Sequence, residues 1–244
     1  TSNKFAAGFI ANAYASVNAT TLTNCRSSVT INSSVNGDGS HGGFVAHNTG
    51  GTLTIVGCAF DGYMLGGSTN CCAGFVGWNE TDNGANGKVG ITNSLFAPTS
   101  TQQIIEKTFV RSRNYDSDVI TITNSHCTAH YNVEQQSRIY SITAGENVTM
   151  ATTQSAVNIY SVSGITFYSV GLAFDGVLYA KMDDQLPLTL TSASLSGYEF
   201  SSFATTAGIL SHGVGDSYTL TMANANANIY ATYNNSPISW RGNG

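Results

Sequence analysis

Apolar positions in this chain recur in short bursts rather than in helical stripes. Gly8-Phe9-Ile10 leads to Leu22-Thr23-Asn24-Cys25, and Gly43-Phe44-Val45 leads to Leu53-Thr54-Ile55-Val56-Gly57-Cys58. Gly74-Phe75-Val76 leads to the run Val89 to Phe96, and Thr108-Phe109-Val110 to Ile120-Thr121-Ile122-Thr123-Asn124-Ser125. The four phenylalanines stand 35, 31 and 34 residues apart, a near-constant period that marks an array of about four repeats. Alternation in Thr52-Leu53-Thr54-Ile55 and Val119 to Thr123, with Thr, Val and Ile enriched, predicts strands. Asn36-Gly37, Asp61-Gly62 and Asn86-Gly87 supply turns too often for helices. A single such unit cannot bury its apolar face, so the copies are expected to stack as a parallel β-solenoid. Phe9, Phe44, Phe75 and Phe109 would form one internal ladder, and Ile10, Val45, Val76 and Val110 a second. Asn24, Asn93 and Asn124 share a third column, as an amide ladder or as an exposed row.

Near residues 133–138 the period stops. Short strand-like runs follow: Arg138 to Thr143, Val157 to Val162, Ile165 to Tyr168, Val177 to Ala180, Leu186 to Thr191, Tyr198 to Phe203, Tyr218 to Met222 and Asn228 to Tyr233. Turn residues such as Asp175-Gly176 and Gly213-Val214-Gly215-Asp216 separate them, which predicts an all-β module of about 100 residues. The expected organisation is an array over 1–136, a β module over 137–235 and a linker over 236–244.

The runs Gly42-Gly43-Phe44-Val45, Ala73-Gly74-Phe75-Val76-Gly77 and Ile91-Thr92-Asn93-Ser94-Leu95-Phe96 resemble the GLUG-type repeats of bacterial secreted and surface proteins. The resemblance covers roughly residues 7–130. It departs in the first copy, at Ile10-Ala11, and in the fourth, where Lys107-Thr108 replaces the glycine pair, as end copies would. It implies a right-handed parallel β-helix on a cell-surface protein, without a shared chemistry. Gly197-Tyr198-Glu199-Phe200, Tyr218-Thr219-Leu220-Thr221-Met222 and Asn228-Ile229-Tyr230-Ala231 resemble divergent internalin B-repeat modules, with Ala223 where a proline usually follows the methionine. That likeness implies a small β-sandwich or β-grasp-like spacer domain.

Composition narrows the function classes. Hydrophobic residues make up 41%, enough for a core, but charged residues only 9%, against roughly 25% in ordinary globular chains. Net charge is −5, with six Lys/Arg against eight Asp/Glu up to residue 136 and three against six beyond it. Neither part is a basic footprint, so nucleic acid and anionic membrane are not expected partners. No apolar run approaches the roughly 20 residues that span a bilayer. Low charge and abundant Thr and Asn suit an exported bacterial protein, extracellular or on the cell surface. The start at Thr1 reads as a processed or trimmed piece of a longer multidomain chain.

Candidate chemistry is thin. The five cysteines include no CxxC pair, so no metal site or cofactor is expected. Cys25 and Cys58 share a repeat position that Ser94 and Ser125 fill later, which leaves two readings: buried thiols in a small-residue column, or a disulfide between neighbouring copies. His126-Cys127 with His130 reads as histidines ending a copy, and Asn36-Gly37-Asp38-Gly39 as a polar turn. Three residues past the phenylalanines lie Asn12, His47, Trp78 and Ser112, with Tyr115 near by. An outward Trp78 would offer a platform for a sugar ring; packed under the insertion from Met64 to Cys72 it would not. Arg111 and Arg113 adjoin this column, and Asp116 and Asp118 are expected on one strand face beside them. The sequence reading is thus a non-enzymatic surface protein that binds glycans or spaces other modules. The alternative is a polysaccharide hydrolase or lyase using the region 111–118, for which paired carboxylates would be required. No catalytic residue is assigned.

Overall fold

A computed structural model describes residues 4–14, 19–33, 40–66, 72–82, 85–99, 106–129 and 134–236. The expected turn at Asn36-Gly37, Cys71, His130 and most of the tail lie outside these. Among the described residues the chain is all-β, without a helix. It divides into two compact units, Thr1–Ile139 with Asn158–Thr166, and Tyr140–Val157 with Phe167–Gly244.

In the first unit equivalent strands of successive copies pair in parallel. Ile10–Tyr14, Val45–Thr49, Val76–Asp82 and Val110–Ser112 form one sheet. Ala19–Thr23, Thr52–Val56, Lys88–Thr92 and Ile120–Thr123 form another, with Leu22, Ile55, Ile91 and Ile122 in one column. Two-residue strands Arg26–Ser27, Ala59–Phe60, Leu95–Phe96 and His126–Cys127 make a third. Shorter sheets join Phe5–Ala7, Ser40–Gly42 and Cys72–Ala73, and Thr30–Ser33 with Tyr63–Gly66. The ring centroids of Phe9 and Phe44 lie 5.5 Å apart, those of Phe44 and Phe75 4.7 Å, and those of Phe75 and Phe109 5.0 Å. Phe60 and Phe96 stack at 5.6 Å in a second ladder. Stacked rings at this spacing combine large apolar burial with favourable ring geometry.

The glycine before each of Phe9, Phe44 and Phe75 is a requirement of this stacking. A Cβ at Gly8 would strike the Gly43 carbonyl, one at Gly43 the Gly74 carbonyl, and one at Gly74 the Thr108 carbonyl. Thr108 itself carries a side chain, and its Oγ1 accepts a hydrogen bond from Gln135 N at 3.0 Å. The fourth copy departs from the repeat where the neighbour changes from another copy to the segment 134–139.

In the second unit Leu172–Phe174, Val177–Ala180, Tyr140–Ala144, Ala227–Asn235 and Tyr198–Thr205 lie side by side in that order. Only Tyr140–Ala144 and Ala227–Asn235 pair in parallel, while the other adjacent pairs are antiparallel. Val148–Thr152, Gln185–Ser192, Ser217–Thr221 and Ile209–His212 form an antiparallel sheet. Ile142, Ala180 and Ile229 from the first sheet share one core with Leu188, Leu190 and Leu220 from the second. The strands Val148–Thr152, Leu172–Phe174 and Ile209–His212 were not among the expected runs. Val148–Thr152 and Ile209–His212 are largely exposed and carry little apolar signal, and Leu172–Phe174, though apolar, is too short to show an alternation.

Candidate functional site

Asn12, His47, Trp78, Arg111 and Ser112 lie on the sheet that carries Ile10–Tyr14, and Arg113 and Tyr115 follow just past its last strand. Asn12, His47 and Trp78 are direct neighbours across successive copies. Ser112 is not their continuation. A register shift after Val76 sets Ser112 beside Asn79, because the fourth copy is one residue shorter past its phenylalanine. It therefore ends a buried polar column instead. Asn48 Nδ2 donates to Asn79 Oδ1 at 2.8 Å, and Asn79 Nδ2 to Ser112 Oγ at 3.2 Å.

Arg111 occupies the place beside Trp78, its guanidinium carbon 5.0 Å from the ring centroid. Its Nε donates to Glu106 Oε2 at 2.7 Å and its Nη1 to the Gly77 carbonyl at 2.9 Å. A cation over an indole face is attractive, so one face of Trp78 is already covered. His47 Nε2 lies 2.8 Å from Glu80 Oε2, and the Phe5 ring stacks on the imidazole at 5.0 Å. The Tyr115 hydroxyl accepts the Ser112 N–H at 3.0 Å, and Lys107 Nζ sits 5.5 Å from its ring centroid. Burial pushes the Tyr115 phenol above its ordinary range, so it stays protonated at neutral pH. Arg113 is exposed, its backbone N–H held by the Asn79 carbonyl. The structure thus gathers Trp78, Arg111 and Tyr115 with Glu106 and Lys107, and sets His47 one copy away with Glu80 and Phe5. Asp116 and Asp118 do not share a strand face. They lie exposed in a loop and turn, where the Asp116 carbonyl accepts the Val119 and Ile120 N–H groups.

Cys25, Cys58, Ser94 and Ser125 form one hydrogen-bonded column. Cys25 N donates to Cys58 Sγ at 3.4 Å, Cys58 N to Ser94 Oγ at 3.1 Å, and Ser94 N to Ser125 Oγ at 3.1 Å. Each side chain donates back to the carbonyl two residues earlier, at Thr23, Val56, Thr92 and Thr123. Both cysteines are thiols, without a bridge between them. Burial pushes the Cys58 thiol up to about 12. It carries almost no thiolate near neutral pH, which makes it a poor nucleophile there.

Asn24, Asn93 and Asn124 occupy a left-handed turn with φ of 52°, 50° and 44°. Asn124 Nδ2 donates to Asn93 Oδ1 at 2.8 Å, so part of the column is an amide ladder. Gly57 fills the second copy's place at φ 62°, and the Tyr160 ring occupies the space a side chain would take there. Asn93 Nδ2 donates to the Tyr160 hydroxyl at 2.8 Å, and Asn24 Oδ1 accepts the Val162 and Ser163 N–H groups at 3.0 and 3.1 Å. The segment 158–166 thereby completes the column.

Sequence reasoning missed one buried pair. His41 and Cys72 are neighbours in register, Nδ1 to Sγ 3.6 Å, and His41 is wholly buried. Burial and then Arg111 lower the His41 pKa, which keeps the imidazole neutral. Only the shared strand register brings these two together, and neither residue repeats in the other copies. No family model, curated protein or solved structure matches the chain.

Proposed function

We propose that the repeats form a short right-handed parallel β-helix, followed by a β-sandwich or β-grasp-like module. Together they serve as a non-enzymatic part of an extracellular bacterial surface protein. Its role is to hold a glycan-facing surface away from the cell or to space other modules. One observation carries this reading: the polar side chains that recur from copy to copy bond to the next copy. The Cys/Ser column and the Asn48–Asn79–Ser112 column both act inside the array, and Arg111 donates to the Gly77 carbonyl of the copy before it. Low charge and the GLUG-type repeats support the surface location.

The glycan-binding arm rests on Trp78, Tyr115 and the exposed Arg113, with His47 in the copy before Trp78. With Arg111 over one indole face, a sugar would meet the ring's remaining surface and the phenol. A glycan array probed with the chain and with Trp78→Ala tests it. A hit weakened tenfold or more by the substitution supports binding at this face, corresponding to about 1.4 kcal/mol. A hit that Trp78→Ala leaves unchanged removes Trp78 from the site. No hit at all assigns the spacer role. Release of reducing ends or unsaturated products from pectins or mucin glycans would instead overturn the non-enzymatic reading.

A further inference from the structure

The two edges of the array are finished differently. At each junction two successive N–H groups converge on one carbonyl of the next copy. Phe9 N and Ile10 N donate to Phe44 O at 3.1 and 3.0 Å, Phe44 N and Val45 N to Phe75 O at 3.1 and 3.0 Å, and Phe75 N and Val76 N to Phe109 O at 2.9 and 2.8 Å. Beyond the fourth copy Phe109 N and Val110 N both donate to Gln135 Oε1, at 2.9 and 2.7 Å. Gln135 Nε2 returns to Val110 O at 2.8 Å. A side-chain amide thus stands where a fifth phenylalanine carbonyl would be. Gln136 Nε2 donates to Ile122 O at 3.2 Å and Ile139 N to Cys127 O at 2.8 Å, which covers the last copy at two more columns.

The first copy has no such cover among the described residues. Among the described strands, Phe5–Ala7, Ile10–Tyr14, Ala19–Thr23, Arg26–Ser27 and Thr30–Ser33 each have one strand neighbour, in the second copy. Phe9 is 48% exposed, whereas Phe44, Phe75 and Phe109 are at 0%. A hollow of about 620 Å³ lined by Phe5, Ala6, Ala11, Val29 and Ile31 opens at this edge. By the repeat, the Gly8 and Phe9 carbonyls point outward there, as those of Gly43 and Phe44 point to the first copy.

We propose that this edge is a docking surface for one further copy of the same repeat, entering in parallel ahead of the first strand. Its Phe and following N–H groups converge on the Phe9 carbonyl, and its phenyl ring stacks on Phe9. The surface is continuous with an interface already formed three times, since the same edge of the second, third and fourth copies carries the copy before it. A flat apolar ligand would cover Phe9 but leave the outward carbonyls that it buries without a hydrogen-bond donor. Paired strands are the natural occupant of an open sheet edge.

The test fuses a duplicate of residues 36–70 directly ahead of Thr1 in the full chain, with a second fusion carrying Phe44→Asp in the duplicate. Hydrogen exchange is followed in peptides covering residues 5–14 and 19–23. The first fusion is expected to slow exchange there at least tenfold and to raise the melting temperature, and the second to do neither. Equal exchange in fusion and parent chain would overturn the proposal. So would a parent chain whose same peptides become protected with rising concentration as a dimer forms, because the occupant would then be a second copy.

Discussion

A thiol and a hydroxyl are interchangeable at one position of each repeat because the position asks for little. It needs an atom that accepts the N–H of the preceding copy and donates to the carbonyl two residues back; Cys58, Ser94 and Ser125 do both, and Cys25, in the first copy, does the second. Cys58→Ser should therefore change unfolding free energy by less than about 1 kcal/mol, whereas Cys58→Ala, close to serine in volume but mute, leaves Cys25 N–H unpaired and should cost about 1–3 kcal/mol. Urea unfolding of the two variants checks this, and equal losses would mean that volume rather than hydrogen bonding sets the position. The column was legible in the sequence because it keeps the period. Its protonation chemistry was not, since burial, which holds Cys58 as a thiol, leaves no mark in residue spacing. The column expected for Ser112 failed for a related reason: one residue fewer after Phe109 moves every later side chain to the next register position.

At the scale of elements, the interruption of the asparagine column by Gly57 and its repair by Tyr160 couple residues 103 apart along the chain. Gly57→Asn would restore the repeat in sequence but drive its side chain into the Tyr160 ring, and is expected to destabilise by several kcal/mol, as overpacking and lost aromatic contact do. Tyr160→Ala removes the obstacle at the cost of the half-buried ring's packing and its hydrogen bond to Asn93, about 1–3 kcal/mol. The double variant lets an asparagine take the left-handed turn that Asn24 and Asn93 already adopt, so the two losses should fall short of additive by 1 kcal/mol or more in a double-mutant cycle. Additive losses would show the two sites to be independent. The parallel strands were legible because Thr, Val and Ile alternate over five residues or more. The corner strands of two residues, such as Ala59–Phe60, are too short for any alternation, and the Gln135 cover carries no periodic signal because it imitates backbone with a side chain.

At the scale of the molecule, His41 sets an acid limit. Its folded pKa lies below 6.5, chiefly through burial, while in the unfolded chain it titrates near 6.5. Below that pH the unfolded state takes up a proton that the folded state resists, so this stability is present above about pH 6.5 and is lost as pH falls, by up to about 1.4 kcal/mol per pH unit. Urea midpoints at pH 7.5 and 5.5 should drop further for the parent chain than for His41→Ala; equal drops would place the acid sensitivity elsewhere.

The glycine ahead of each core phenylalanine has a wider consequence. With hydrogen alone at that carbon another layer can be laid down, and with a methyl or larger the count closes, as it does at Thr108. The height of such a stack is therefore punctuated at a single carbon per turn of the repeat. Whole layers could be added or removed between the first and last without rewriting either end, which makes the length of the array a quantity that grows in fixed steps.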